Sequence, residues 1–200
     1  MNPFAAVLAV IASYLIGSID FAVVVGRMHG VDIHKVGSGN PGTSNVMRTL
    51  GKGPAAMVFA GDFIKGVIAA AIGTFLVTDP PGISVWTFAT GLAAVVGHCY
   101  PVFHRFRGGK GVATGGGVLL FALPIVGLVL AGIWIIVALL TRVASIASLS
   151  CLIATIPLAL WQGLRGLPLL LLGAMLLLVT YRHRGNMSRI LRRKEQKVIS

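Results

Sequence analysis

Acidic residues are nearly missing from this chain: Asp and Glu number 5 in 200 residues, against 17 Lys and Arg. The five, Asp20, Asp32, Asp62, Asp79 and Glu195, are scattered and form no DxxD-like pair. Magnesium-assisted phosphoryl transfer needs acidic ligands around the ion, so the composition argues against it and no metal site is expected. Cysteine is as scarce. Cys99 and Cys151 lie in apolar surroundings without CxxC spacing, which leaves no support for a disulfide framework or a zinc site. Charged residues of both signs make up only 11% of the chain, where a soluble domain carries about a quarter. That is too little polar surface to cover a domain in water. Neither GxSxG nor HExxH occurs, and no repeat of fixed period is visible.

What fills the chain instead is apolar: 56% hydrophobic residues, 26 glycines and a mean hydropathy of +0.91. The length fits one domain, 1–200. A net charge of +12 would suggest nucleic acid in a soluble protein, but here the cations sit between apolar runs, as they do on the cytoplasmic flanks of membrane spans. No nucleic-acid partner is expected. The first apolar run starts at Pro3 without a basic segment before it and runs past the length of a signal-peptide core, so it reads as a span.

The fold class expected is an all-α integral membrane protein of about seven transmembrane helices. Crossing the hydrocarbon takes about 20 apolar residues. Runs at 4–26, 54–77, 83–101, 124–140, 144–161 and 167–181 qualify, and 111–122 is shorter and glycine-rich. Counting 111–122 as a crossing puts the N-terminus outside and the C-terminus in the cytoplasm. Arg27, Lys35, Arg48, Lys52, Arg105, Arg107, Lys110, Arg142 and every cation from Arg182 onward then share the cytoplasmic side. Arg165 is left outside and Lys65 lies inside a span. The basic tail, 182–197, is expected to be a short helix on the anionic inner surface.

Three cytoplasmic stretches hold residues that anchoring does not explain. The first runs Gly37-Ser38-Gly39-Asn40-Pro41-Gly42-Thr43-Ser44-Asn45, with Arg48 beyond. Glycines let backbone N–H groups approach an oxyanion and form a nest. Ser44 or Asn45 is placed to cap a short helix through Leu50, and Arg48 to add a bidentate contact. The second, Arg105 to Thr114, sets Lys110 among Gly108, Gly109 and Gly111. It resembles a phosphate cradle without being a P-loop, since His104 stands where the first glycine would and Gly111 follows the lysine. The bland alternative is a basic juxtamembrane anchor. The third, Tyr181 to Asn186, spaces His183 and Asn186 for one helix face. Ser145 and Ser148 share that spacing, though buried hydroxyls usually bond back to their own helix. Asp62 and Lys65, one turn apart inside a span, read as a structural ion pair supporting the site. For His98 a buried role and a site role stand open.

Several of these motifs in this order resemble the bacterial acyl-phosphate:glycerol-3-phosphate acyltransferases, the PlsY family. The likeness runs through Gly37–Asn45 with Arg48, Asp62-Phe-Ile-Lys65-Gly66, Gly97-His98 to Pro101-Val-Phe, Phe106 to Thr114, Arg142 to Ser148, and His183 to Asn186 with Glu195. The HxxxxD pattern of coenzyme A-dependent glycerolipid acyltransferases is absent. One departure is Arg193, where the family tends to place glycine. The resemblance implies acyl transfer from acyl phosphate to glycerol 3-phosphate, without coenzyme A, acyl carrier protein or any cofactor, in the bacterial inner membrane with the site facing the cytoplasm. It implies membrane lipids as surroundings and a functional link to the enzyme that makes acyl phosphate. Carried onto this chain, Asn45, Lys110, His183 and Asn186 are the expected catalytic residues, with Asn45, His183 and Asn186 orienting the glycerol hydroxyl. Ser38, Gly39, Asn40, Ser44, Arg48, Gly108, Gly109, Gly111, Ser145 and Ser148 are expected to bind substrate. A phosphate-compound carrier is the main rival, but carriers bind near the midplane at a repeat interface. A basic scaffold would not need the Ser, Asn and Gly detail.

Overall fold

The computed structural model describes residues 3–77 and 83–198, so Asp79 lies outside the described residues. Every regular element among them is helical. The elements are α1 (Pro3–Gly17), α2 (Phe21–Met28), α3 (Thr43–Leu50), α4 (Lys52–Ile72), α5 (Val85–Cys99), α6 (Val112–Ala122), α7 (Pro124–Thr141), α8 (Ala144–Trp161), α9 (Gly166–Arg182) and α10 (Arg184–Leu191).

Among the described residues, five helices are long and apolar enough to cross a membrane, counting α1 with α2 and extending α4 through a π-helical turn at Gly73–Val77. A sixth results if α9 and α10, which meet at 53°, form one bent span. The seventh expected span, 111–122, falls short. At 11 residues α6 rises about 16 Å, roughly half the hydrocarbon thickness.

The first span is not the continuous helix that the run 4–26 suggested. It breaks at Ser18–Asp20, where the Asp20 carboxylate accepts the Val23 N–H at 3.1 Å and restarts the chain as α2. Hydropathy cannot see such a break, because the residues on both sides stay apolar. Gly17 lies so close to Ala94 of α5 that a Cβ would strike its backbone.

Small residues set the packing elsewhere too. α4 crosses α6 where Gly66 faces the Thr114 carbonyl and Gly117 faces that of Phe63. Helices in lipid gain little from burying apolar side chains against each other, so close backbone approach at such glycines is what holds them. The main core lies between α5, α6, α7, α8 and α9, around Phe88, Val95, Leu119, Val126, Leu172 and Met175. A second cluster, including Val23, Ile33, Val46 and Val58, ties α2, α3 and the start of α4 together and so fixes the 29–42 loop.

The C-terminal tail leaves α10 after Leu191 and folds back, and Val198 N–H donates to the Arg142 carbonyl at 2.8 Å. Its turn has Arg193 at φ 56, the left-handed region that glycine enters freely. A glycine, as the resemblance led us to expect there, would suit this backbone shape, which this chain keeps with arginine.

Candidate active site

The site is assembled from three segments far apart in sequence: the loop before α3, the loop before α6, and the α9–α10 bend with its tail.

In the first loop, Asn45 is almost fully buried and every polar atom of its side chain is engaged. Its Oδ1 accepts the Ser38 N–H at 2.8 Å, and its Nδ2 donates to the carbonyls of Val36 at 3.0 Å and Ile33 at 3.3 Å. The carboxamide is spent on folding the loop, so it is not free to orient a hydroxyl. Nor does Ser44 or Asn45 cap the short helix. α3 begins at Thr43 after Gly42, with no side-chain cap, because Asn45 turns back to the loop. Ser38 Oγ accepts a long bond from Arg48 Nη2 at 3.4 Å, while the Arg48 Nε is buried with no partner among the described residues. A buried guanidinium N–H left unmatched is poised for an incoming acceptor.

The second loop is clamped rather than open. Gly109 N–H donates to the His98 carbonyl at 3.0 Å. Arg182 donates from Nε to the Gly109 carbonyl at 2.9 Å and from Nη2 to that of Gly108 at 2.6 Å, with its guanidinium carbon 5.2 Å from the centroid of the Tyr100 ring. The amides of Ser38, Gly39 and Gly109, expected in a phosphate nest, are therefore already used within the protein. Grip on an anion is left to the cations together with the remaining loop amides, those of Gly108 and Gly111.

Those cations converge. Lys110 feels the charges of Glu195, Arg189, Arg48 and Arg182, and burial among them pulls its ammonium down to about 8. His183 is 2% exposed, and its Nδ1 lies 2.8 Å from the Val179 carbonyl. That contact requires the proton on Nδ1, which leaves Nε2 as the acceptor of the neutral ring.

Glu195 sits among them as the organising anion. It accepts from Ser145 Oγ at 2.9 Å, from Arg189 Nε at 2.6 Å, and from Asn186 Nδ2. Burial pushes its carboxyl up, but the bonds from Arg189, Asn186 and Ser145 outweigh that and hold it below the usual range. Ser148 stands apart: its hydroxyl donates to the Ala144 carbonyl at 2.9 Å and accepts from Trp134 Nε1 at 3.1 Å, which commits it to the α7–α8 contact.

Beside this cluster lies an open cleft of about 430 Å³, lined by Ser38, Gly39, Asn40, Gly108, Arg107 and Arg182 among others. Ser38, through Arg48, and Arg182, through the Gly108–Gly109 carbonyls, join cleft to cluster. The structure thus brings the three segments to one end of the bundle. Two residues outside the expected set prove central. Arg182 looked like one more basic residue after a span, and the fold-back that brings in Glu195 leaves no periodic signal.

The family model described as "Glycerol-3-phosphate acyltransferase" matches residues 7–193. The chain belongs to that family. A glycerol-3-phosphate acyltransferase of Rubrobacter xylanophilus is 45% identical over 196 residues, covering 96% of this chain and 94% of the relative. One from Aquifex aeolicus is 42% identical over 199 residues, with 96% and 98% covered. The fold is similar to the crystal structure of PlsY (YgiH), an integral membrane glycerol 3-phosphate acyltransferase, in its glycerol 3-phosphate form. The TM-score is 0.90 and the identity 40%, covering 96% of this chain and 94% of that one. The lysophosphatidic acid form of the same protein gives 0.88. This chain is therefore a multi-pass membrane protein of the PlsY family, as its motifs led us to expect.

Proposed function

We propose that this protein transfers an acyl chain from acyl phosphate to glycerol 3-phosphate, yielding 1-acyl-glycerol 3-phosphate and inorganic phosphate as the first acylation of phospholipid synthesis. The observation that carries the reading is the convergence of Arg48, Lys110 and Arg189 with His183 and Asn186 at one end of an apolar bundle. Both substrates are phosphate monoesters or anhydrides, and both need cations at the boundary between lipid and water. Family membership supports the acceptor, and the scarcity of carboxylates fits a reaction without a bound metal.

An acyl phosphate is a mixed anhydride with a good leaving group, so positioning and charge stabilisation suffice without a protein nucleophile. The C1 hydroxyl of glycerol 3-phosphate attacks the acyl carbonyl, the new ester C–O bond forms, and the bond from the acyl carbon to the phosphate oxygen breaks. His183 Nε2, or the departing phosphate itself, takes the hydroxyl proton. Arg48, Lys110 and Ser38 hold phosphate, and Asn186 and Ser145 orient the acceptor through Glu195. Asn45 acts by shaping the Ser38 loop. Although α6 alone rises through only about half the hydrocarbon, counting it together with its flanking loops as a pass separate from α7 gives seven crossings, which would put the N-terminus outside and this site on the cytoplasmic face of the inner membrane. That is also where a soluble or peripheral enzyme would deliver acyl phosphate.

Incubating the purified protein with palmitoyl phosphate and radiolabelled glycerol 3-phosphate should give labelled lysophosphatidic acid. Absence of transfer, or an acyl group trapped on a Ser or Cys, overturns the reading or its direct-attack step respectively. The pH profile supplies a finer check. The Lys110 ammonium titrates at about 8 in the free protein, so kcat/KM for glycerol 3-phosphate should fall as pH rises through 8 and the charge is lost. Bound phosphate favours the protonated form, so the corresponding limb in kcat should lie at higher pH. Profiles of both parameters between about pH 6.5 and 9.5 test this, and coincident limbs would contradict it.

A further inference from the structure

Behind the cation cluster lies a second, wholly buried set of ionisable groups to which the acyl-transfer steps above assign no part. Asp62 and Lys65, both 2% exposed and one turn apart on α4, pair at 2.8 Å. His98 of α5 brings Nδ1 to within 3.4 Å of the same Asp62 oxygen. Lys65 Nζ also donates to the Ile19 carbonyl at 2.8 Å, which the break between α1 and α2 leaves without a helical partner. Asp20, at that break, lies within electrostatic reach of all three. Ionisable groups at this depth are expensive, and well-packed apolar residues in their place would usually be as stable or more so. A charged cluster that only filled space would therefore be a poor solution.

What the cluster touches gives it a purpose. The far edge of the His98 imidazole, Nε2, lies directly under Gly109, where a Cβ would strike it. The same absent Cβ would come within 2.6 Å of the Pro41 carbonyl in the other loop. His98 also holds Gly109 by its main chain, accepting the N–H at 3.0 Å. The imidazole is thus the floor on which the Ser38 and Lys110 loops meet, and Asp62, held in turn by Lys65, fixes the ring's position.

We propose that His98 is a positioning residue for acyl transfer, anchored by Asp62 and Lys65, whose Nε2 edge sets the spacing between the Pro41 and Gly109 segments and so places Lys110 against Arg48. This rests on the acyl-transfer reading for its kinetic consequences. The phosphate grip that it describes can be measured without turnover.

Two replacements separate the edges of the ring. The amide nitrogen of glutamine reaches the place of Nε2, and that of asparagine reaches only the place of Nδ1. In the purified full-length protein, His98→Asn should lower kcat/KM for glycerol 3-phosphate by about ten-fold or more, since misplacement of about 1 Å is enough for losses of that order. His98→Gln should recover most of it. The thermal upshift produced by inorganic phosphate should shrink in the same order. Wild-type kinetics in both variants, or better rescue by Asn than by Gln, overturns the proposal in favour of a purely structural ion pair. Should His98→Asn fail to fold, Asp62→Asn preserves the packing and takes over the test: an unchanged kcat/KM with an unchanged phosphate shift overturns it. A wild-type protein with a phosphate-induced shift but no acyl transfer would sink the functional reading and leave this positioning role to be judged by the shift alone.

Discussion

Lys110→Ala in the purified protein is expected to lower kcat/KM for glycerol 3-phosphate by about two to three orders of magnitude, the scale seen when one preorganised oxyanion donor is removed. The reason lies in what surrounds the ammonium. Burial and three arginines, Arg48, Arg182 and Arg189, disfavour its charge, and Glu195 alone offsets them. A phosphate arriving there relieves that repulsion, and the relief grows as negative charge builds on the leaving phosphate. The same electrostatics give the prediction a second arm. A lysine whose folded pKa lies below its ordinary 10.5 has its charged form destabilised by folding. Below pH 8 the charge opposes folding, and the penalty fades as pH rises through the range from 8 to 10.5. Removing the side chain should therefore leave Tm at pH 7 unchanged or raised while activity collapses. Kinetics alongside thermal melts in detergent check both arms. Near-normal turnover at saturating substrates would remove Lys110 from the phosphate clamp, and a large drop in Tm would mean that its environment has been misread. Lys110→Arg should keep charge at every accessible pH yet restore activity poorly, because a planar fork does not fill a point-charge site.

Much of this arrangement was legible in the sequence, and the limits are physical. Helical spans announce themselves because an apolar run of fixed length has few alternatives in lipid. The pairing of Asp62 with Lys65 was equally readable, since two charges one turn apart at membrane depth have little choice but each other. The break at Ser18–Asp20 was hidden because Asp20 could have been one polar residue at the end of a span. Only the capping bond to Val23 reveals its work. The loops were recognisable as sites by their glycines, but the use of their amides was not. Whether a backbone N–H faces a ligand or a neighbouring carbonyl depends on a contact such as Gly109 to His98, which no local pattern encodes. Asn45 and Ser148 illustrate the same gap. Both are polar residues where chemistry was expected, and both are consumed holding elements together. Glu195 is the converse case, a tail residue whose role exists only because the chain folds back over α10.

The Gly109→Ala substitution tests the assembly of the site with a single carbon atom. The added Cβ would overlap the His98 imidazole and press within 2.6 Å of the Pro41 carbonyl. Neither neighbour has room to yield. His98 is pinned through Asp62 and Lys65, and proline is rigid. Gly109 itself is tied at both ends of its peptide unit, by its N–H to His98 and by its carbonyl to Arg182. The loop must therefore lift, carrying Lys110 away from Arg48. Overpacking of this kind costs about 1–3 kcal/mol in stability. A displacement of about 1 Å at the reacting groups lowers the rate about a hundred-fold. Gly115→Ala, three residues into α6, is the matched control. Its Cβ meets only Met175 Sδ at 3.9 Å and Val95 Cγ2 at 4.0 Å, ordinary contacts inside a helix. That variant should retain wild-type kcat/KM. Equal activity in the two variants would mean that the loops do not depend on their meeting at Gly109, and the two phosphate-holding segments would have to be positioned by something other than their mutual contact.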